Sequence, residues 1–278
     1  MARIGMVNYI NTAPIYEVWK EQVHRPDWLV TEAPPVELNR LLAAGELDLG
    51  FVSSIEYAVR PQQYRIMADL SIAATGPVGS VFLFSSVPPE QLDSRPVLLT
   101  GQSDTSVRLL QIILEDFFAV RPQYLRGDIS APQPQDHDHG ERPEAVLAIG
   151  DDALRLAMEK QYPVQLDLGE FWHRHTDLPF VFAVCAVRED FLQAEPAAAR
   201  EIHQALLTCR DQGLARLPAI SRQAARRIPM DKDACLCYLQ AMEYDLDPRK
   251  QQALEEFFTR LLAHGKADSK ALPLKIMQ

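Results

Sequence analysis

Four short polar clusters carry the side chains best suited to meet a ligand: Asn11-Thr12, Ser53-Ser54, Ser103-x-Thr105-Ser106 and Gly150-Asp151. The aspartate apart, they offer uncharged hydroxyl and amide groups. Each stands at a predicted helix start, where unpaired backbone N–H donors and about half a positive charge gather. Such a terminus can hold a carboxylate without any Arg or Lys. The same residue types are ordinary N-caps, so one cluster alone specifies only a helix start. Four in one topology point to a shared anion-binding cleft. There is no Ser-His-Asp pattern, no nucleophile elbow and no pair of carboxylates at helical spacing in a junction. A reaction in such a cleft would need little from titratable side chains, and aromatisation of a preorganised substrate fits that requirement.

Other candidate groups carry less. Asp136-His137-Asp138-His139 is crowded into a Pro-rich polar segment, 126–143, and reads as a solvated loop. His173-Arg174-His175 places two imidazoles on one face of an extended segment, with no third ligand at a metal spacing. Neither a G-x-G-x-x-G nor a Walker lysine motif is present, so nucleotide cofactors have no support. Cys185, Cys209, Cys235 and Cys237 all fall in the last third without a CxxC, and read as reduced, structural thiols. Cys235 and Cys237, two apart in a helical stretch, point to different faces.

The elements that would position the clusters repeat one pattern. An apolar run over residues 4–10 leads into Asn11, an N-cap, and Pro14, which fits the first turn of a helix over residues 15 to about 23. A run over 47–52 leads into Ser53-Ser54-Ile55-Glu56, whose spacing is that of a capping box. Runs over 97–101 and 145–149 lead into helices reaching about residues 118 and 160. Strand alternating with helix in this way predicts a parallel α/β sheet covered on both faces. The runs 80–85 and 178–185 bracket the last two junctions, and we expect them to be adjacent crossing strands around an inserted lobe. Lobe 1 is then 1–84 plus 184–278, and lobe 2 is 85–183. Two junctions in each lobe would face one another across a cleft, a place for a small anion with two acidic ends. From Glu189 onward the chain reads as helix, with Asp231 capping one helix and Asp247-Pro248 opening another.

The whole-chain quantities agree. A chain of 278 residues sits at the length where one core becomes two. With 47% hydrophobic and 24% charged residues, it is neither disordered, collagen-like nor coiled-coil. A net charge of −10 without any Lys/Arg run argues against a nucleic-acid partner. No apolar run reaches the roughly 18 residues that span a bilayer, and the opening residues read as a strand rather than a signal peptide, so we expect a cytoplasmic protein without membrane association. Nothing in the sequence specifies an oligomeric state.

Several runs together carry a family resemblance. Arg3-Ile4-Gly5-x-Val7-x-Tyr9-x-Asn11-Thr12-x-Pro14 resembles the opening of the menaquinone biosynthesis enzymes of the futalosine pathway, in their chorismate dehydratase branch. The resemblance continues through Leu38-Asn39-Arg40-Leu41-Leu42, Ala44-Gly45-Glu46-Leu47-Asp48, Val52-Ser53-Ser54-Ile55-Glu56-Tyr57, Gly79-Ser80-Val81 and Ser103-x-Thr105-Ser106. It extends to Ile149-Gly150-Asp151, Asp167-Leu168-Gly169-x-x-Trp172 and Thr176-x-Leu178-Pro179-Phe180-Val181-Phe182-Ala183, about two thirds of the chain. It implies a two-lobe fold like that of type II periplasmic binding proteins, and cofactor-free loss of water from the dicarboxylate chorismate to give 3-[(1-carboxyvinyl)oxy]benzoate. It assigns Asn11 as the catalytic polar residue and Ser53, Ser54, Ser80, Thr105 and Ser106 as substrate contacts.

Two positions depart from the family pattern. Asp177 stands where Gly is expected and Cys185 where Trp is expected, both at the return crossing, so they bear on the hinge more than on the reaction. The sister branch, 1,4-dihydroxy-6-naphthoate synthase, carries a catalytic His at the end of the strand that matches 145–149. This chain has Gly150 there. A non-catalytic receptor for a small carboxylate, with the same fold, is the reading from a different class. A sensor domain of a transcription regulator would need a helix-turn-helix before the first strand, and none is present.

Overall fold

The computed structural model describes residues 1–127, 129, 143–228 and 230–277. The crowded Asp136–His139 stretch lies outside the described residues. Among the described residues, eleven strands form two sheets. The first contains β1 (Ala2–Val7), β2 (Trp28–Ala33), β3 (Leu49–Ser53), β4 (Tyr64–Ala74), β10 (Phe180–Arg188) and β11 (Ile276–Met277), in the order β11-β4-β10-β3-β1-β2. The second contains β5 (Val81–Ser85), β6 (Pro96–Thr100), β7 (Gln123–Gly127), β8 (Ala145–Ile149) and β9 (Val164–Asp167), in the order β7-β6-β8-β5-β9.

The junction strands are parallel neighbours within each sheet, β1 with β3 and β6 with β8. The sheets as wholes are mixed rather than parallel. β10 runs antiparallel to both β3 and β4, and β5 antiparallel to both β8 and β9. A strand entered by crossing from the other lobe arrives from the opposite end, which reverses its direction against its neighbours. β5 and β10 therefore belong to different sheets and are not adjacent. Val81–Phe84 pair with the second sheet and Phe180–Ala183 with the first, so sheet membership changes a few residues earlier at each crossing than the expected 84/85 and 183/184 limits.

Local chemistry explains how the crossings are held. Asp167 caps helix Leu168–Thr176, accepting from the backbone N–H groups of Gly169 (2.9 Å) and Glu170 (3.0 Å). The same carboxylate accepts from Val78 N (3.1 Å) and Gly79 N (2.7 Å) of the outgoing crossing. Helix Leu168–Thr176 ends at Asp177, whose φ of 57° is the left-handed conformation that a helix C-terminus favours and that Gly adopts most easily. Cys185 is fully buried in β10 with its Sγ 3.5 Å from Met67 Sδ on β4, leaving no room for an indole.

The C-terminal helices complete the first lobe and overlap the second. Pro196–Ala215 lies against Ala13–Gln22, and a Cβ on Gly213 would stand 1.7 Å from the Pro14 carbonyl oxygen. Helix Pro248–Ala263 brings Phe257 against Phe180 and Trp172, with ring centroids 5.0 and 6.2 Å apart. Asp231 and Asp247 cap their helices, with bonds of 2.8 Å to Asp233 N and 2.8 Å to Lys250 N. Cys185, Cys209 and Cys235 are buried, and Cys237, on the other side of helix Lys232–Ala241, is exposed. Among the described residues no helix is long and apolar enough to cross a membrane.

Candidate active site

The carboxyl ends of β1, β3, β6 and β8 converge on one cavity between the lobes, where open α/β sheets place their ligands. Counting its open mouth, the space between the lining residues is about 520 Å³. Its polar lining comes from Tyr9, Asn11, Ser53, Ser80, Ser103 and Ser106; Ile72, Val78, Phe182 and Met242 are among its apolar walls. Among the described residues, no charged side chain lines it.

Each polar group arrives by a different local route. Asn11 lies in a one-turn 3-10 helix, Ile10–Thr12, and Thr12 rather than Asn11 occupies the N-cap of helix Ala13–Gln22. Freed from capping, the Asn11 side chain faces the cavity with its Oδ1 buried and unpartnered. Ser53 precedes helix Ser54–Val59, yet the capping box does not form. Glu56 turns away to Arg60 (2.7 Å) and the Tyr64 hydroxyl (2.9 Å), and the Ser53 N–H donates to Asn39 Oδ1 (3.0 Å). The Ser53 Oγ is thereby left buried without a partner. Unpaired buried polar atoms cost stability unless a ligand uses them, and they collect at functional sites.

The remaining hydroxyls are pre-aimed. Tyr238 donates to Ser80 Oγ (3.0 Å), which leaves the Ser80 proton free to donate into the cavity. Ser103 caps helix Asp104–Ile112, accepting from Ser106 N (3.3 Å), and its hydroxyl donates to Ser106 Oγ (3.2 Å). That nine-residue helix points its positive end at the cavity. Ser54 and Thr105 do not line the cavity. They are fully buried and bonded across the lobes, Oγ to Oγ1 at 3.3 Å, and Thr105 Oγ1 also accepts from Ile55 N at 3.1 Å.

Several neighbours of the cavity were not among the expected site residues, and of these Gln102, Tyr238 and Met242 carried no sequence signal. The Tyr9 hydroxyl, on the first lobe, donates to Gln102 Oε1 on the second, and the Gln102 amide donates to Asp152 at 3.2 Å. Burial raises the pKa of Tyr9 and of Tyr238, so both remain neutral donors. Tyr238 and Met242 come from the helical tail, far along the chain. Burial also raises Asp151, against the opposing pull of Arg227, and its Oδ1 is buried and unpartnered. His173 and His175 lie in a helix and turn to separate backbone carbonyls, those of Leu178 and Phe171, so they do not share a face. Among the described residues no group of three His, Cys, Asp or Glu side chains is placed to hold a metal ion.

The two sheets and the cavity between them define the periplasmic-binding-protein fold. Its similarity to solved structures fixes that architecture. An Archaeoglobus fulgidus protein superposes with a TM-score of 0.76 at 17% identity, covering 95% of this chain and 97% of its own. A Candida albicans gene product described as having the generic periplasmic binding protein fold gives 0.72 at 10% identity, covering 100% and 96%. The alkanesulfonate-binding protein SsuA from Xanthomonas axonopodis pv. citri gives 0.70 at 11% identity, covering 99% and 97%. In sequence, the profile of a family described as menaquinone biosynthesis matches residues 2–263, and the chain belongs to that family. A chorismate dehydratase from Thermus thermophilus is 32% identical over 269 residues, covering 91% of this chain and 93% of the relative.

Proposed function

We propose that this protein is a chorismate dehydratase, a cytoplasmic hydro-lyase that converts chorismate to 3-[(1-carboxyvinyl)oxy]benzoate and water for menaquinone biosynthesis by the futalosine pathway. The observation that carries this reading is the uncharged cavity in which Asn11 Oδ1 and Ser53 Oγ are buried without partners. Family membership and the Thermus thermophilus relative support it.

In this reading Ser53, Ser80 and Ser106 hold the two carboxylates, helped by the N-terminus of helix Asp104–Ile112, and Asn11 orients the reacting ring. Ser54 and Thr105 act one step back, fixing the two helix starts against each other. With no base in the lining among the described residues, the side-chain carboxylate of chorismate takes the ring proton while a cleft hydroxyl assists the departing hydroxide. One C–H and one C–O bond break, the ring becomes aromatic and water leaves. Orientation alone can supply several orders of magnitude in rate.

Gly150 argues against the sister reaction. Its φ is 56°, and a Cβ there would lie 3.3 Å from the Tyr9 ring, so a catalytic imidazole at this position would be strained and would displace Tyr9. The binding-protein fold of SsuA keeps a non-catalytic receptor as the second reading. Incubation with chorismate, followed by ultraviolet absorbance and product mass, separates the two. A product lighter by one water supports the dehydratase; tight binding with chorismate recovered unchanged establishes the receptor. Asn11→Ala should lower kcat/KM about a hundredfold, and full activity in that variant would remove Asn11 from the mechanism.

A further inference from the structure

A second groove lies against the reverse side of the cavity wall. Where Pro35, Ser53 and Ser103 face the first cavity, their near neighbours Val36, Ile55 and Asp104 face the second, which encloses about 790 Å³ counting its open side. The two differ sharply in charge. The second groove is lined by Arg40, Arg60, Arg108 and Lys266 against only Glu56 and Asp104, in a protein of net charge −10.

Two of these cations are already committed. Arg40 pairs with Glu37 (2.9 Å) and Glu46 (3.1 Å), and Arg60 with Glu56 (2.7 Å). Asp104 lies 3.8 Å from Arg126. Arg108 donates to the neutral Gln111 Oε1 (2.7 Å), and among the described residues neither Arg108 nor Lys266 has an acidic partner. Both also line the adjoining pocket, where Glu115 and Tyr124 lie beside them without pairing with either cation among the described residues. Asn39 supplies an independent sign. It lines the same groove, is only 4% exposed, gives its Oδ1 to Ser53 N, and leaves its Nδ2 buried with no acceptor. A buried amide donor beside two unpaired cations is the chemistry of an oxyanion site.

We propose that this groove binds a compact polyanion through carboxylate or phosphate oxygens, held by Arg108 of the second lobe, Lys266 of the C-terminal segment and the Asn39 amide of the first lobe. A ligand touching both lobes favours their closed arrangement, because separation would remove half of its contacts. It also reaches the first cavity through one hydrogen bond, from the Ser53 N–H to Asn39. The site is separate from the dehydratase reading and stands or falls without it.

Thermal unfolding of the full chain tests the proposal, with inorganic phosphate and citrate added separately against potassium chloride of matched ionic strength. A saturable rise in Tm of about 3 °C at roughly ten times the Kd is expected for at least one anion. A response to citrate alone identifies a polycarboxylate ligand, and a response to phosphate alone a phosphate ester. In Arg108→Gln/Lys266→Gln the rise should vanish while Tm in chloride stays within about 2 °C of the parent, since Lys266 is exposed and Arg108 half-buried with Gln111 as its hydrogen-bond partner. Lys266→Glu, at an exposed residue, should weaken binding at least tenfold by itself. No shift beyond chloride with either anion, or an undiminished shift in both variants, overturns the proposal.

Discussion

At the scale of single residues, Ser53 shows why function and stability pull apart. Its hydroxyl is buried and unpartnered, so deleting it removes a desolvation cost and no hydrogen bond. Ser53→Ala should therefore leave Tm unchanged or slightly higher in calorimetry while kcat/KM falls at least tenfold. Asp151 gives a pH signature. Burial raises its pKa, so the folded chain holds that proton more tightly than the unfolded chain does. The folded state then binds more protons, and the contribution of Asp151 to stability falls as pH rises above the ordinary carboxylate value. Asp151→Asn removes the titration. The Tm of the variant minus that of the parent should grow as pH rises above about 4, and a constant difference would count against the buried carboxylate.

At the scale of elements, Asp167 ties a helix start to a lobe crossing. Asp167→Ala leaves four backbone N–H groups without their acceptor, those of Val78, Gly79, Gly169 and Glu170. Denaturant unfolding should show a loss of about 3 kcal/mol, more than an ordinary N-cap costs. The four strand–helix junctions were legible in the sequence because apolar runs followed by Ser, Thr, Asn or Asp are a local signal. What those residues do there was less so. Asn11 and Ser53 look like caps, but Thr12 takes the capping position and Asn39 takes the Ser53 N–H, choices made by residues the local spacing cannot see. The same limit hid the antiparallel course of β5 and β10, the Tyr9–Gln102 bond and the reach of Tyr238 to Ser80, all contacts across 60 residues or more of chain. Ser54 and Thr105, picked out by motif as substrate contacts, bond each other across 51 residues of chain, a pairing their local spacing does not reveal.

At the scale of the whole molecule, the net charge of −10 and the uncharged cavity make one statement about kinetics. A dianionic substrate gains nothing from long-range steering, so raising potassium chloride from about 50 to 300 mM should leave kcat/KM unchanged or increase it. A steep fall would mean that a cation such as Arg227, which donates to the Asn8 carbonyl at 2.7 Å, contributes to capture.

The distribution of thiols offers a practical handle on these motions. Cys185, Cys209 and Cys235 are enclosed, while Cys237 is open to solvent on helix Lys232–Ala241, where the next residue, Tyr238, bonds Ser80 at the outgoing crossing. A maleimide dye should attach at that single position in the natural sequence. Its fluorescence would then follow, in real time and without engineered cysteines, whether the tail helix moves when the cleft takes up its ligand.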